Sequence, residues 1–170
     1  EILFRLGVED QILATTSLCD YPVRARRKES IGGWSTNADL EKVLEKEPDK
    51  VFTSDRLQQD FRKKLEEAGV KTVHVEPETI EEVYSSIERI GEEVDRSTEA
   101  EKLVQEMKKR ISALDLEGVK IYCEEWSDPP MVSGNWIPDL IEEANGQYME
   151  VDGRSRETDA KEVESFDPDL

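Results

Sequence analysis

One histidine and two cysteines are all the imidazole and thiol side chains among the 170 residues. Cys19 and Cys123 have no CxxC spacing around them, so a zinc site lacks its ligands. Nothing in the pattern supports a disulfide between them, and both read as unpaired thiols at strand ends. No stretch approaches the roughly 20 apolar residues that a membrane helix requires. Basic residues are scarce: 23 Lys and Arg stand against 41 Asp and Glu, a net charge of −18. That balance excludes nucleic acid as a partner, because phosphate binding needs cations that displace counterions. It equally disfavours docking on an anionic membrane surface. Two readings of the charge stay open, a surface adapted to high salt and an ordinary soluble acidic protein. An acidic surface repels itself at low salt and is screened at molar salt, where the Debye length is about 3 Å.

Apolar residues make up 36% of the chain, and they are periodically placed, which sets it apart from a disordered sequence. The opening Glu1–Gly7 reads as the inside of a helix. Gln11–Thr16 reads as a strand. Asp39 is placed to cap a helix that ends before Pro48. Lys50–Thr53 is the next strand, Leu57–Ala68 a helix stopped by Gly69, and Lys71–Val75 a third strand. Strand–helix–strand alternation of this kind predicts a parallel sheet flanked by helices.

From Thr79 to about Leu114 the pattern turns helical. Ile80, Val83, Ile87 and Ile90 fall at three- and four-residue spacing, as do Leu103, Met107, Ile111 and Leu114. Asp95–Thr98 interrupts the run, and the second helix is long enough to span about 25 Å. After Gly118 the α/β pattern resumes with strand Val119–Cys123, a helix over Ile137–Ala144 beginning around Pro138, and a short helix over 157–164. The expected fold is α/β: two lobes of parallel sheet and flanking helices joined by one long helix. The expected domains are an N-terminal lobe over 1–78, a helical segment over 79–117 and an incomplete C-terminal lobe over 118–170. No signal peptide is present, and both chain ends read as cut.

Parallel sheets bind ligands beyond the C-terminal ends of their strands. That rule selects the loops Ser17–Pro22, Ser54–Arg56 and Glu124–Pro130, with Gly32–Ser35 ahead of a helix. Aromatics are only 6% of the chain, yet Trp34, Trp126 and Trp136 all lie in or beside such loops. Large flat rings there suit a large flat ligand, with stacking adding about 0.5–1.5 kcal/mol beyond area burial. Catalytic readings are weak. His74 sits on a strand with no nucleophile placed near it by a motif. Glu124 and Glu125 are adjacent on a strand and point to opposite faces. Gly32–Gly33 and Ser133–Gly134–Asn135 are loop glycine segments without the P-loop pattern.

Five segments occur in a family order: Cys19-Asp20-Tyr21-Pro22, Gly32-Gly33-Trp34-Ser35, Glu124-Glu125-Trp126 with Asp128-Pro129, Gly134-x-Trp136-Ile137-Pro138-x-Leu140, and Gly153-Arg154-Ser155-Arg156. Together they resemble the cobalamin-binding branch of the periplasmic binding proteins that serve vitamin B12, haem and ferric-siderophore ABC importers. The resemblance implies a ligand cleft between lobes, and a non-enzymatic, monomeric protein that works with a permease. It implies Cys19, Asp20, Tyr21, Gly33 and Trp34 on one side of the ligand, and Trp126, Trp136 and Arg156 on the other. It implies cobalamin or a related corrinoid as transported ligand, no catalytic cofactor and no protein–metal bond. Glu41 and, more loosely, Asp139 or Glu142 would dock on the permease. An extracytoplasmic location follows, by export signal or lipid anchor in the full-length protein, together with a first strand before Glu1 and further elements after Leu170. Haem or a ferric siderophore is the alternative ligand within the family. A metallocluster-binding protein or enzyme of nitrogenase-like architecture is the alternative outside it, resting on Cys19 alone.

Overall fold

A computed structural model of the chain describes residues 1–33 and 38–170. The chain divides into two compact units, Glu1–Glu76 with Ile87–Ala100, and Pro77–Ser86 with Glu101–Leu170.

The first unit opens with helix α1 (Ile2–Arg5). Its strands are β1 (Ala14–Thr15), β2 (Glu29–Ser30), β3 (Val51–Ser54) and β4 (Thr72–Val75). β1 pairs with β2 and β3 with β4, both in parallel, with Val51 opposite Thr72 and Ser54 opposite Val75. The strand expected over 11–16 is shortened because Glu9–Gln11 turns as a 3-10 helix. Helix α2 (Leu40–Glu45) starts where expected, since the Asp39 carboxylate accepts the Lys42 N–H at 3.2 Å.

Helix α3 (Gln59–Glu67) closes on Gly69 at φ +82°. Gly69 N–H donates to the Glu66 carbonyl and Val70 N–H to that of Leu65, the paired bonds of a Schellman cap. A residue with a Cβ is disfavoured at that φ, which is why glycine ends this helix.

Leu65, Ile31 and Val43 form a buried cluster, packed by Ala14, Leu40, Val51, Phe61 and Val70. Leu65 is fully enclosed. Leu65→Ala should therefore lower stability by about 2–5 kcal/mol, from lost transfer energy plus the cavity left behind. Urea unfolding monitored by circular dichroism measures it; a cost below about 1 kcal/mol would mean that α3 is not seated on the sheet.

Helices α4 (Ile80–Glu93) and α5 (Ser97–Ser112) fill the stretch read as helical, and each contributes residues to both units. Their break is another helix cap. Asp95 adopts φ +55°, and the Arg96 N–H returns to the Gly91 carbonyl at 2.8 Å. Near that end Lys71 and Lys50 converge on the Glu93 carboxylate at 2.6 and 3.1 Å and hold it below the usual carboxylate range, Lys71 having the larger effect.

The second unit departs from the purely parallel expectation. β5 (Lys120–Ile121) pairs in parallel with β8 (Gln147–Tyr148). Leu170 also lies along β5, accepting the Tyr122 N–H and donating to the Lys120 carbonyl. A separate antiparallel sheet has the order β6 (Glu124–Ser127), β7 (Pro130–Val132), β9 (Arg156–Glu157). Helix α6 (Trp136–Glu143) ends on Asn145 and Gly146, and α7 (Ala160–Phe166) is capped by Asp159. Val132, Ile141, Ala144 and Met149 are buried, as are Ile80, Tyr84, Val104 and Ile111 from α4 and α5.

Tyr84 ties these helices together. Its hydroxyl donates to Glu143 at 3.4 Å, and the Lys108 ammonium lies 4.4 Å from its ring centre. Burial first, and then the Glu143 charge, push its hydroxyl up to about 12.

Candidate functional site

In the first unit the chain leaves β1 into a loop held by three backbone and side-chain contacts. Ser17 N–H donates to the Gly32 carbonyl at 2.8 Å and Cys19 N–H to that of Thr16 at 3.1 Å. The Cys19 sulfur lies 3.5 Å from the Thr16 hydroxyl. Fixed in this way, the loop presents Leu18 and Tyr21 to solvent, 69% and 62% exposed. Asp20 pairs with Arg26 at 3.3 Å across an exposed surface. Gly33 is half-buried. Trp34 lies outside the described residues.

In the second unit the segment read as a loop, Glu124–Pro130, is instead the β6–β7 hairpin. Sequence periodicity missed it because β6 is exposed on both faces and so carries no alternation of apolar and polar residues. Trp126 stands opposite Met131, 63% exposed, with its indole N–H donating to the Asp128 carbonyl at 3.0 Å. That bond orients the ring on a strand rather than a mobile loop. Glu124 and Glu125 have different partners where the β6 register shifts: the Tyr122 hydroxyl donates to Glu124, and the Ser155 hydroxyl donates to Glu125.

Trp136 is the first residue of α6 and is about one-third exposed. The turn before it is locked onto the Gly153–Ser155 segment. Gly134 N–H donates to the Ser155 hydroxyl at 3.0 Å and Asn135 N–H to the Gly153 carbonyl at 2.6 Å. The hairpin, the 133–136 turn and the 153–156 segment therefore form one connected surface of the second unit.

Arg156 is engaged within the unit. Its guanidinium donates to both carboxylate oxygens of Glu162, at 2.5 and 3.0 Å, and to the Glu150 carbonyl at 2.9 Å. Thr158 adds a third hydrogen bond to Glu162. The arrangement makes Arg156 a tie between β9 and α7 and leaves its ligand role, implied by the resemblance, with little donor capacity. Arg156 first, then Thr158, hold the Glu162 carboxyl down at about 2 against an ordinary 4.5. A carboxyl with a lowered folded-state value stabilises above its unfolded value, and that contribution is lost on acidification. The stability difference between the parent protein and Glu162→Gln should hold steady above about pH 4.5 and shrink as pH falls toward about 2. Parallel acid titrations followed by circular dichroism check this; a gap independent of pH would remove the charge from the explanation.

Of the residues expected at a permease surface, Glu41 is exposed in the first turn of α2 and Glu142 is exposed on α6. Asp139 instead accepts the Ile80 N–H at 2.9 Å, an internal cap on the first turn of α4. His74 belongs to a local network, 3.0 Å from the Thr53 hydroxyl and 3.5 Å from Glu76.

The two cysteines are free thiols, and burial pushes that of Cys123 up. Among the described residues no three His, Cys, Asp or Glu side chains come together as a metal site. No described helix is long and apolar enough to cross a membrane. A groove of about 910 Å³ in the first unit is bordered by Ile12–Thr16 and Lys50–Phe52. Of the expected ligand residues among those described, Cys19 alone lines it.

The α/β architecture, parallel strand pairs flanked by helices with an added antiparallel sheet, is that of a solute-binding fold. The chain belongs to the periplasmic binding protein family, whose profile matches residues 1–157. It is 31% identical over 153 residues to an uncharacterised ABC transporter substrate-binding lipoprotein of Bacillus subtilis, covering 88% of this chain and 48% of that protein. It is 25% identical over 115 residues to a vitamin B12-binding protein of Photorhabdus laumondii, covering 67% of this chain and 42% of the relative. The chain thus spans about half the length of the curated relatives it matches. The periplasmic haem-binding protein HutB of Vibrio cholerae has the same fold, with a TM-score of 0.80 at 19% identity over 99% of this chain and 70% of that one.

Proposed function

We propose that the protein is the solute-binding component of an ABC importer, capturing cobalamin or a related corrinoid and delivering it to a permease. It works outside the cytoplasm and makes or breaks no bond in its ligand. In this reading residues 1–78 and 118–170 are the two lobes and 79–117 the helical segment that connects them in sequence. The observation that carries the reading is the set of aromatic rings held out to solvent: Tyr21 on the β1 loop, Trp126 on the β6–β7 hairpin and Trp136 at the start of α6. Exposed apolar surface gathered into a patch marks an interaction site, and flat rings stack well on a broad flat ligand. The vitamin B12-binding relative supports the corrinoid as that ligand.

Cys19, Asp20, Gly33 and Trp34 join the aromatic set on the first unit, and Arg156 acts as a support on the second. Glu41 and Glu142 are the acidic side chains that would meet a basic permease surface, with Asp139 committed to its internal cap. The likeness to a haem-binding fold gives the second reading, haem in place of a corrinoid.

Size-exclusion chromatography of the full-length protein, incubated separately with cyanocobalamin, haemin and a ferric siderophore, tests the choice. Co-elution of cyanocobalamin at one equivalent is the expected result. Co-elution of haemin alone would retain the transport role and replace the ligand.

A further inference from the structure

We infer that Asn135 is a further ligand-contacting residue, held in a strained turn so that its carboxamide faces a carbonyl-bearing arm of the ligand. The inference rests on the solute-binding reading given above.

Asn135 has φ +53° and ψ −126°. With the Ile137 N–H donating to the Gly134 carbonyl at 3.2 Å, residues 134–137 form a type II′ turn with Asn135 at its first central position. Glycine dominates that position because a Cβ is poorly accommodated there. Asparagine tolerates the left-handed region best when its side chain bonds the local backbone. Here the carboxamide makes no capping bond to α6, and among the described residues it has no hydrogen-bond partner. Local bonding of the side chain therefore does not explain the choice of asparagine here.

The surroundings keep the turn from relaxing. Asn135 N–H is bonded to the Gly153 carbonyl, and Gly134 N–H to the Ser155 hydroxyl. The half-buried Asn135 directly precedes the partly exposed ring of Trp136 on the same turn. A strained backbone that its neighbours hold in place is a feature that clusters at ligand sites. A carboxamide both donates and accepts, so it matches an amide arm of a corrinoid with two hydrogen bonds. A carboxylate arm of haem would receive only its N–H. The resemblance in the sequence left position 135 unassigned; the geometry assigns it.

The test compares the full-length protein with Asn135→Gly and Asn135→Ala, reading melting temperature and affinity for cyanocobalamin and haemin. Asn135→Gly should melt at least as high as the parent while binding cyanocobalamin about tenfold more weakly, the loss of one or two bonds to a ligand. Asn135→Ala should lose affinity similarly and melt lower. Unchanged cyanocobalamin affinity in Asn135→Gly would overturn the inference. So would a clear fall in its melting temperature, because the turn would then not be strained. A parent protein that binds haemin and no corrinoid defeats the corrinoid reading separately. The same comparison with haemin then decides Asn135, equal affinity overturning it and weakened affinity supporting it.

Discussion

Gly134→Ala should cost the second unit about 3 kcal/mol or more, a large share of the 5–15 kcal/mol that holds a domain folded. A Cβ at Gly134 would lie 2.4 Å from both the Gly153 oxygen and the Arg154 carbonyl carbon, and 2.6 Å from the Ser155 nitrogen. All three are backbone atoms, so no rotamer change can relieve the contact. Separating the turn from the 153–155 segment breaks the Gly134–Ser155 and Asn135–Gly153 hydrogen bonds, each worth about 1 kcal/mol, on top of the overpacking. The damage should be local. Hydrogen exchange should rise across 119–170 and stay near parental values across 1–76. A variant melting within a degree of the parent would show that the 133–136 turn is not locked onto 153–155.

The second large effect is on binding. Trp126→Ala in the full-length protein should weaken ligand affinity at least tenfold, about 1.4 kcal/mol, with folding stability nearly unchanged. The dissociation of the two effects follows from exposure. At 63% exposed, the Trp126 ring contributes little to the core, and its removal leaves the β6–β7 register to the backbone. Tyr21→Ala, on the other unit, should act in the same direction. Loss of stability without loss of affinity would make Trp126 a packing residue and remove the strongest aromatic support from the corrinoid reading.

Much of the fold was legible because local chemistry and tertiary structure agree. The Asp39 cap, the Gly69 stop and the apolar period of α4 each appear where the sequence places them, whereas Leu114, read as the last apolar position of the second helix, falls past the end of α5 and is exposed. What escaped was structure that leaves no periodic trace. β2 and β8 are two residues long and β6 is exposed throughout, so none buries a face that a pattern could record. The β6–β7 hairpin consequently reads as a loop in the sequence, and Trp126 as a ring on that loop.

The candidate site was half legible. Exposed aromatics can be found from their Gly, Ser and Pro neighbours. The capture of Arg156 by Glu162 and of Asp139 by the start of α4 depends on partners 6 and 59 residues away, which spacing alone does not reveal. Asn135 gave one signal, an asparagine between glycine and tryptophan, and only its backbone angles turn that into a question about the ligand.

The most direct measurement is a calorimetric titration of the full-length protein with cyanocobalamin in molar salt, run beside the Trp34→Ala and Trp126→Ala variants. Saturation at one ligand per chain, weakened in both variants, is the result expected of an aromatic corrinoid site. A folded protein that gives no heat with cyanocobalamin and saturates with haemin or a ferric chelate would contradict it.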